Sequence, residues 1–171
     1  MKKYLALSVL ALTSVGLVLN HVALEPMDHS YIVNVDGQRW DAGGAVLDAM
    51  TRWSRRCEQV QASTDAMPTP MLEVIRAYSP PQSHAVKGVQ WLSSGSWHLA
   101  EVTFPELEPA VILMSSHHGL FQIQDRGIWS GPVGPWRPGP WIRRYLLTQV
   151  PEAPADLLAC YEPTPGLFRP L

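Results

Sequence analysis

Sixteen uncharged residues, 4–19 (YLALSVLALTSVGLVL), stand directly behind Lys2 and Lys3, and they set the terms on which the rest of this 171-residue chain can fold. A stretch that is apolar all round cannot turn one face to a core and the other to water, so it is not an ordinary surface helix. A short basic segment followed by an apolar run is the pattern of an export sequence, and the chain is expected to cross a membrane. Two forms fit. Ser14-Val15-Gly16 has the small residues that cleavage requires but lies inside the run, and His21-Val22-Ala23 has a small exit residue behind a histidine. As a helix, 16 residues reach about 24 Å, short of the roughly 30 Å hydrocarbon core. Extension to Leu24 reaches spanning length by taking in Asn20 and His21. Residues 1–24 are therefore expected to be a signal peptide or an N-terminal membrane anchor. The folded part is expected in a bacterial periplasm, soluble or tethered to the inner membrane by residues 4–24, with membrane contact only through that N-terminal segment.

The remainder divides into a linker at 25–30, a single α+β domain at 31–162 and an irregular, proline-rich tail at 163–171. A composition of 46% hydrophobic residues with seven tryptophans is enough for a buried core. Without Lys2 and Lys3, 11 basic residues face 15 acidic ones, a formal charge of −4. That balance argues against nucleic acid and against an anionic membrane face as partners. The two cysteines, Cys57 and Cys160, are expected to form a disulfide in an oxidising compartment.

Residues 31–35 are β-prone and Asp36-Gly37 is a hairpin turn signal, with 38–40 as a short return strand. From Asp41, a capping residue, the period becomes helical. Val46, Leu47, Met50, Trp53, Cys57 and Val60 make the expected buried side, with Arg52, Arg55, Arg56 and Glu58 opposite. Residues 61–68 read as loop. Thr69-Pro70 opens a second helix with a capping hydroxyl, and Ser79-Pro80-Pro81 ends it. Strand-like runs follow at 86–92, 97–104, 110–116 and 120–125, with Ile128-Trp129 as a short fifth strand. Short breaks between them predict an antiparallel meander. After the proline- and glycine-rich 131–140, helices are expected at 141–150 and 154–161. The fold class is thus α+β, a four- to five-stranded antiparallel meander packed with N-terminal and C-terminal helices. The Cys57–Cys160 bond would place the first and last helices on one face of the sheet. The same element order occurs in cystatin-like and NTF2-like cones, an analogy of order without shared motifs.

No named catalytic motif is present. His117 and His118 fit turn chemistry better than ligation, because adjacent strand residues face opposite ways and His118-Gly119 suits a hairpin. His98 shares the apolar face of its strand with Ala100, Val102 and Phe104, and Glu101 points away from it. Glu101, Glu106, Glu108 and Asp125 are the acids from which a glycosidase pair would have to come. Neither a metal nor a cofactor is expected. The segment 129–141 interleaves Trp129, Trp136 and Trp141 with Arg137, proline and glycine, the residue types that dominate binding hot spots. The expected function is a non-enzymatic envelope domain that binds another envelope protein through these four residues. It would act as an accessory subunit of an assembly or as an inhibitor or immunity-type protein. The alternatives are a small cell-wall or glycan hydrolase and a small-molecule binder.

Overall fold

A computed structural model describes residues 21–27 and 30–168; the apolar run at 4–19 lies outside them. The chain is α+β, as expected, with its strands in two antiparallel sheets. A small sheet joins β1 (Val22–Met27), β2 (Ser30–Val35) and β3 (Gln38–Asp41) in that order. The β2–β3 hairpin turns at Asp36 and Gly37, both at positive φ (50° and 86°), the conformation that an Asp-Gly pair is suited to. Residues 25–27, expected to be linker, belong instead to β1, where they pair with β2. Glu25-Pro26-Met27 carries no strand signal of its own, and the pairing comes from β2.

Helix α1 (Ala42–Ser54) opens where the sequence places it: Asp41 accepts a hydrogen bond from the Gly44 amide at 2.7 Å. A Cβ on Gly44 would collide with that carboxylate, so the cap requires glycine there. The helix ends at Ser54, earlier than its apolar period suggests, which leaves Cys57 and Val60 in the following loop. Its orientation also overturns the expectation. Val46, Leu47, Met50 and Trp53 face water, Trp53 with 91% exposure, while Gly44 and Asp48 are buried. The reason is electrostatic: α1 meets the body through Asp48, whose Oδ1 accepts from the buried Arg143 at 2.6 Å. Arg52 and Arg55, assigned to the solvent side, reach Glu162 near the C-terminal end.

The main sheet has the order β4-β5-β6-β7-β8, from β4 (Gln61–Ser63), β5 (Lys87–Ser94), β6 (Trp97–Thr103), β7 (Ala110–His117) and β8 (Leu120–Ser130). The four predicted meander strands are β5 to β8. Ile128 and Trp129 are not a separate strand but the end of β8, which continues through Arg126 at positive φ and a register shift opposite Ile112 and Met114. The fifth strand is β4, from the expected loop, held at the edge by pairing with β5.

Alternation along the strands buries both faces. On one face Ala100, Val102, Ala110 and Ile112 pack against Met71 and Ile75 of α2 (Thr69–Tyr78). Thr69 is the first residue of α2 rather than its hydrogen-bonded cap. On the other face Leu99, Val111 and Leu113 pack against Ile142 and Leu146 of α3 (Pro138–Gln149) and Leu157 and Leu158 of α4 (Ala155–Cys160). The main sheet is therefore a middle layer. The tail is irregular in backbone, yet residues up to 168 complete the core: Phe168 is buried and its carbonyl accepts from the Val133 amide at 2.9 Å. The Cys57–Cys160 disulfide joins the loop after α1 to the end of α4. Among the described residues no helix is long and apolar enough to cross a membrane.

Candidate functional site

Glu101 and Tyr161, two residues that could carry catalysis, are engaged in holding the fold. Glu101 is fully buried on β6 and accepts from the Tyr161 hydroxyl at 2.6 Å, from Gln90 Nε2 at 3.0 Å and from the Thr164 amide at 3.2 Å. Gln90 Nε2 also donates to the Glu162 carbonyl at 2.7 Å. This network fastens the tail to the sheet. Burial raises the pKa of the Tyr161 phenol far above its ordinary value of 10.0, the neighbouring Glu101 carboxylate raises it further, and Arg143 partly opposes both. Tyr161 thus remains a hydrogen-bond donor and is not an accessible base. Glu106, Glu108 and Asp125 are exposed.

His98 lies on the face predicted for it, in edge contact with Phe121 at 4.9 Å between ring centroids. Its Nε2 is 2.9 Å from Ser116 Oγ, while Nδ1 is buried with no hydrogen-bond partner among the described residues. Burial lowers its pKa from 6.5. A serine–histidine contact without a group to orient the imidazole is an incomplete nucleophilic pair. His118 (φ 52°) and Gly119 (φ 81°) form the β7–β8 turn, and His117 is exposed beside it. Among the described residues, no three His, Cys, Asp or Glu side chains are grouped to hold a metal ion.

The four predicted binding residues have different surroundings. Trp129 packs edge-on against Tyr145 at 5.0 Å and donates to the Gly131 carbonyl at 3.2 Å. Trp141 stacks beneath Trp136 at 4.5 Å, and all three tryptophans are half-buried against the core. Trp136 and the exposed Arg137, however, line a cleft of 830 Å³ together with Trp40, Arg39, Arg52, Glu162 and the tail at 163–166. Stacking on Trp141 fixes the Trp136 ring, and the Arg137 amide is anchored to Asp41 Oδ2 at 2.8 Å. Asp41 therefore both caps α1 and positions the loop, which couples the two walls of the cleft.

Charges in this cleft are unequally satisfied. Arg39 pairs with Glu25 at 2.9 Å, and Arg52 with Asp48 at 2.8 Å and Glu162 at 3.5 Å. Among the described residues the guanidinium of Arg137 has no ion pair, and the Trp136 indole nitrogen is buried without a hydrogen-bond partner. Two tryptophans, a guanidinium with no ion pair among the described residues and walls containing Pro135, Pro138, Pro163 and Pro165 make the cleft aromatic, cationic and rigid. Sequence reasoning missed Trp40 and Arg52, which lie 96 and 84 residues before Trp136 and join it only through the tertiary fold. A second, smaller cleft of 310 Å³, almost wholly apolar, lies between α2 and the main sheet and is lined by Ile75, Tyr78, Phe104, Leu107, Ile112 and Ile128. No family model, curated protein or solved structure matches this chain.

Proposed function

We propose that this chain is a non-enzymatic interaction domain of the bacterial envelope, exported and held in the periplasm, that binds another envelope protein through the Trp136–Arg137 wall of the cleft. The observation that carries the reading is the state of Arg137, an exposed cation at the rim with no ion pair among the described residues, while Arg39 and Arg52 of the same cleft are paired. A rim cation beside rigid aromatic walls suits a partner segment with an acidic residue flanked by apolar ones. An accessory subunit and an inhibitor or immunity-type protein would both use such a cleft. The disulfide supports an oxidising compartment, and the uncharged run at 4–19 supports export.

The test is affinity capture from native membranes with the full-length chain, read by mass spectrometry. Wild type retains a stoichiometric partner, and Arg137→Glu reduces its recovery at least tenfold while the thermal midpoint stays unchanged. Equal recovery with both baits rejects the cleft as the contact surface. The intact mass of the bait reports whether residues 1–24 are retained. The reading as a small-molecule binder has the apolar cleft beneath α2 in its favour, and recovery of a stoichiometric ligand without protein would favour it.

A further inference from the structure

The small sheet is turned inside out. Antiparallel partners share a face, so its register assigns every side chain to one side or the other. Leu24, Val33 and Trp40 form one row across the three strands, with Val22 and Val35 on one side of it and Pro26 and Tyr31 on the other. Gln38 is the one polar residue on that face. Leu24, Tyr31 and Trp40 are 67%, 63% and 65% exposed, so the face meets solvent. The opposite side holds the fully buried Ile32, the capping Asp41 and the Glu25, Asn34 and Arg39 network. An amphipathic sheet in water ordinarily buries the face that this one exposes.

We infer that this face rests on a lipid bilayer, in the interfacial layer beside residues 4–19. The inference rests on the anchored form of the exported protein. Its first support is continuity. Val22 opens β1 three residues after the uncharged run ends, and three residues span at most about 11 Å. A run seated in the membrane thus delivers β1 to the membrane surface. The second is composition: tryptophan and tyrosine concentrate at membrane–water boundaries, and both occupy this face. The third is charge. No Asp, Glu, Lys or Arg lies on the face, and the exported part is net acidic, so contact is apolar and needs no anionic lipid.

Full-length protein reconstituted into phosphatidylcholine vesicles, with and without brominated acyl chains, tests this by tryptophan emission. Wild type shows bromolipid quenching, a share of which disappears in Trp40→Phe. That share is unchanged by high salt or by added phosphatidylglycerol, and Tyr31→Asp with Leu24→Asp removes it. Equal quenching of wild type and Trp40→Phe overturns the inference. So does a cross-linked dimer in which Trp40 is shielded from bromolipid, which would make a second copy the occupant. The intact mass of protein from native membranes separates the two ways to fail: a missing run overturns the anchored form, whereas a retained run with Trp40 unquenched overturns only the docking of the sheet.

Discussion

Asp48 illustrates how much of this molecule depends on single ionic contacts. Its two oxygens serve two arginines, Arg143 at 2.6 Å and Arg52 at 2.8 Å, and Arg143 also donates to the Tyr161 carbonyl at 2.9 Å. Arg143 is buried, so neutralising its partner strands a cation where water cannot reach it. Asp48→Asn is expected to lower the unfolding free energy by about 3–5 kcal/mol, measured by urea titration, with Arg143→Met on the same background restoring part of the loss. His98 supplies a pH dependence of known sign. The unfolded chain takes up the imidazole proton near 6.5, the folded chain only at lower pH because of burial. Between those two values the unfolded state binds more protons, so stability falls as pH drops below 6.5. His98→Gln removes this contribution: thermal midpoints of wild type and variant, compared across pH, change in parallel above 6.5 and diverge below it. A wild-type slope that persists unchanged in the variant would assign the effect to another group.

Helix α1 is the element at which periodicity and packing part company. Its apolar spacing identifies a helix and its two sides, but not which side meets the body. Apolar burial usually decides that; here the neighbouring surface offers a buried arginine, and Asp48 answers it from 95 residues away. No local pattern encodes that partnership. Met50→Ser combined with Trp53→Ser is therefore expected to change stability by no more than about 0.5 kcal/mol, checked by urea unfolding. A helix packed by its apolar side would lose several times that. The legible elements were those with strong local signals: the alternating strands β5 to β8, the Asp36-Gly37 and His118-Gly119 turns, and the Asp41 cap. Strands β1 and β4 were not, because each borrows its conformation from a neighbour that supplies the hydrogen bonds. Of the residues that line the cleft, Trp136 and Arg137 were marked by composition, whereas Trp40 and Arg52 join them through folding alone; Trp129 packs on Tyr145 and Trp141 on Trp136.

At the scale of the molecule, three layers are closed by the last part of the chain. Leu157, Leu158, Tyr161 and Phe168 are buried on one face of the main sheet, and Cys160 fixes this end to the loop after α1. The bond spans 103 residues, and in the chain-entropy model a loop of that length contributes about 4–5 kcal/mol. Reduction with dithiothreitol, or Cys57→Ser with Cys160→Ser, is expected to lower the urea-unfolding free energy by that amount; identical curves with and without reductant would show that the bond adds nothing. Its spacing has a further consequence in time. A chain that emerges N-terminus first presents Cys57 long before Cys160, with no other thiol between them. Every strand of the main sheet must appear while that first thiol waits, with no wrong partner of its own to choose. Closure is thus a record of α4: a molecule that carries the Cys57–Cys160 bond is one in which that helix has been made, and a chain stopped before Cys160 keeps a free Cys57 thiol that marks it as unfinished.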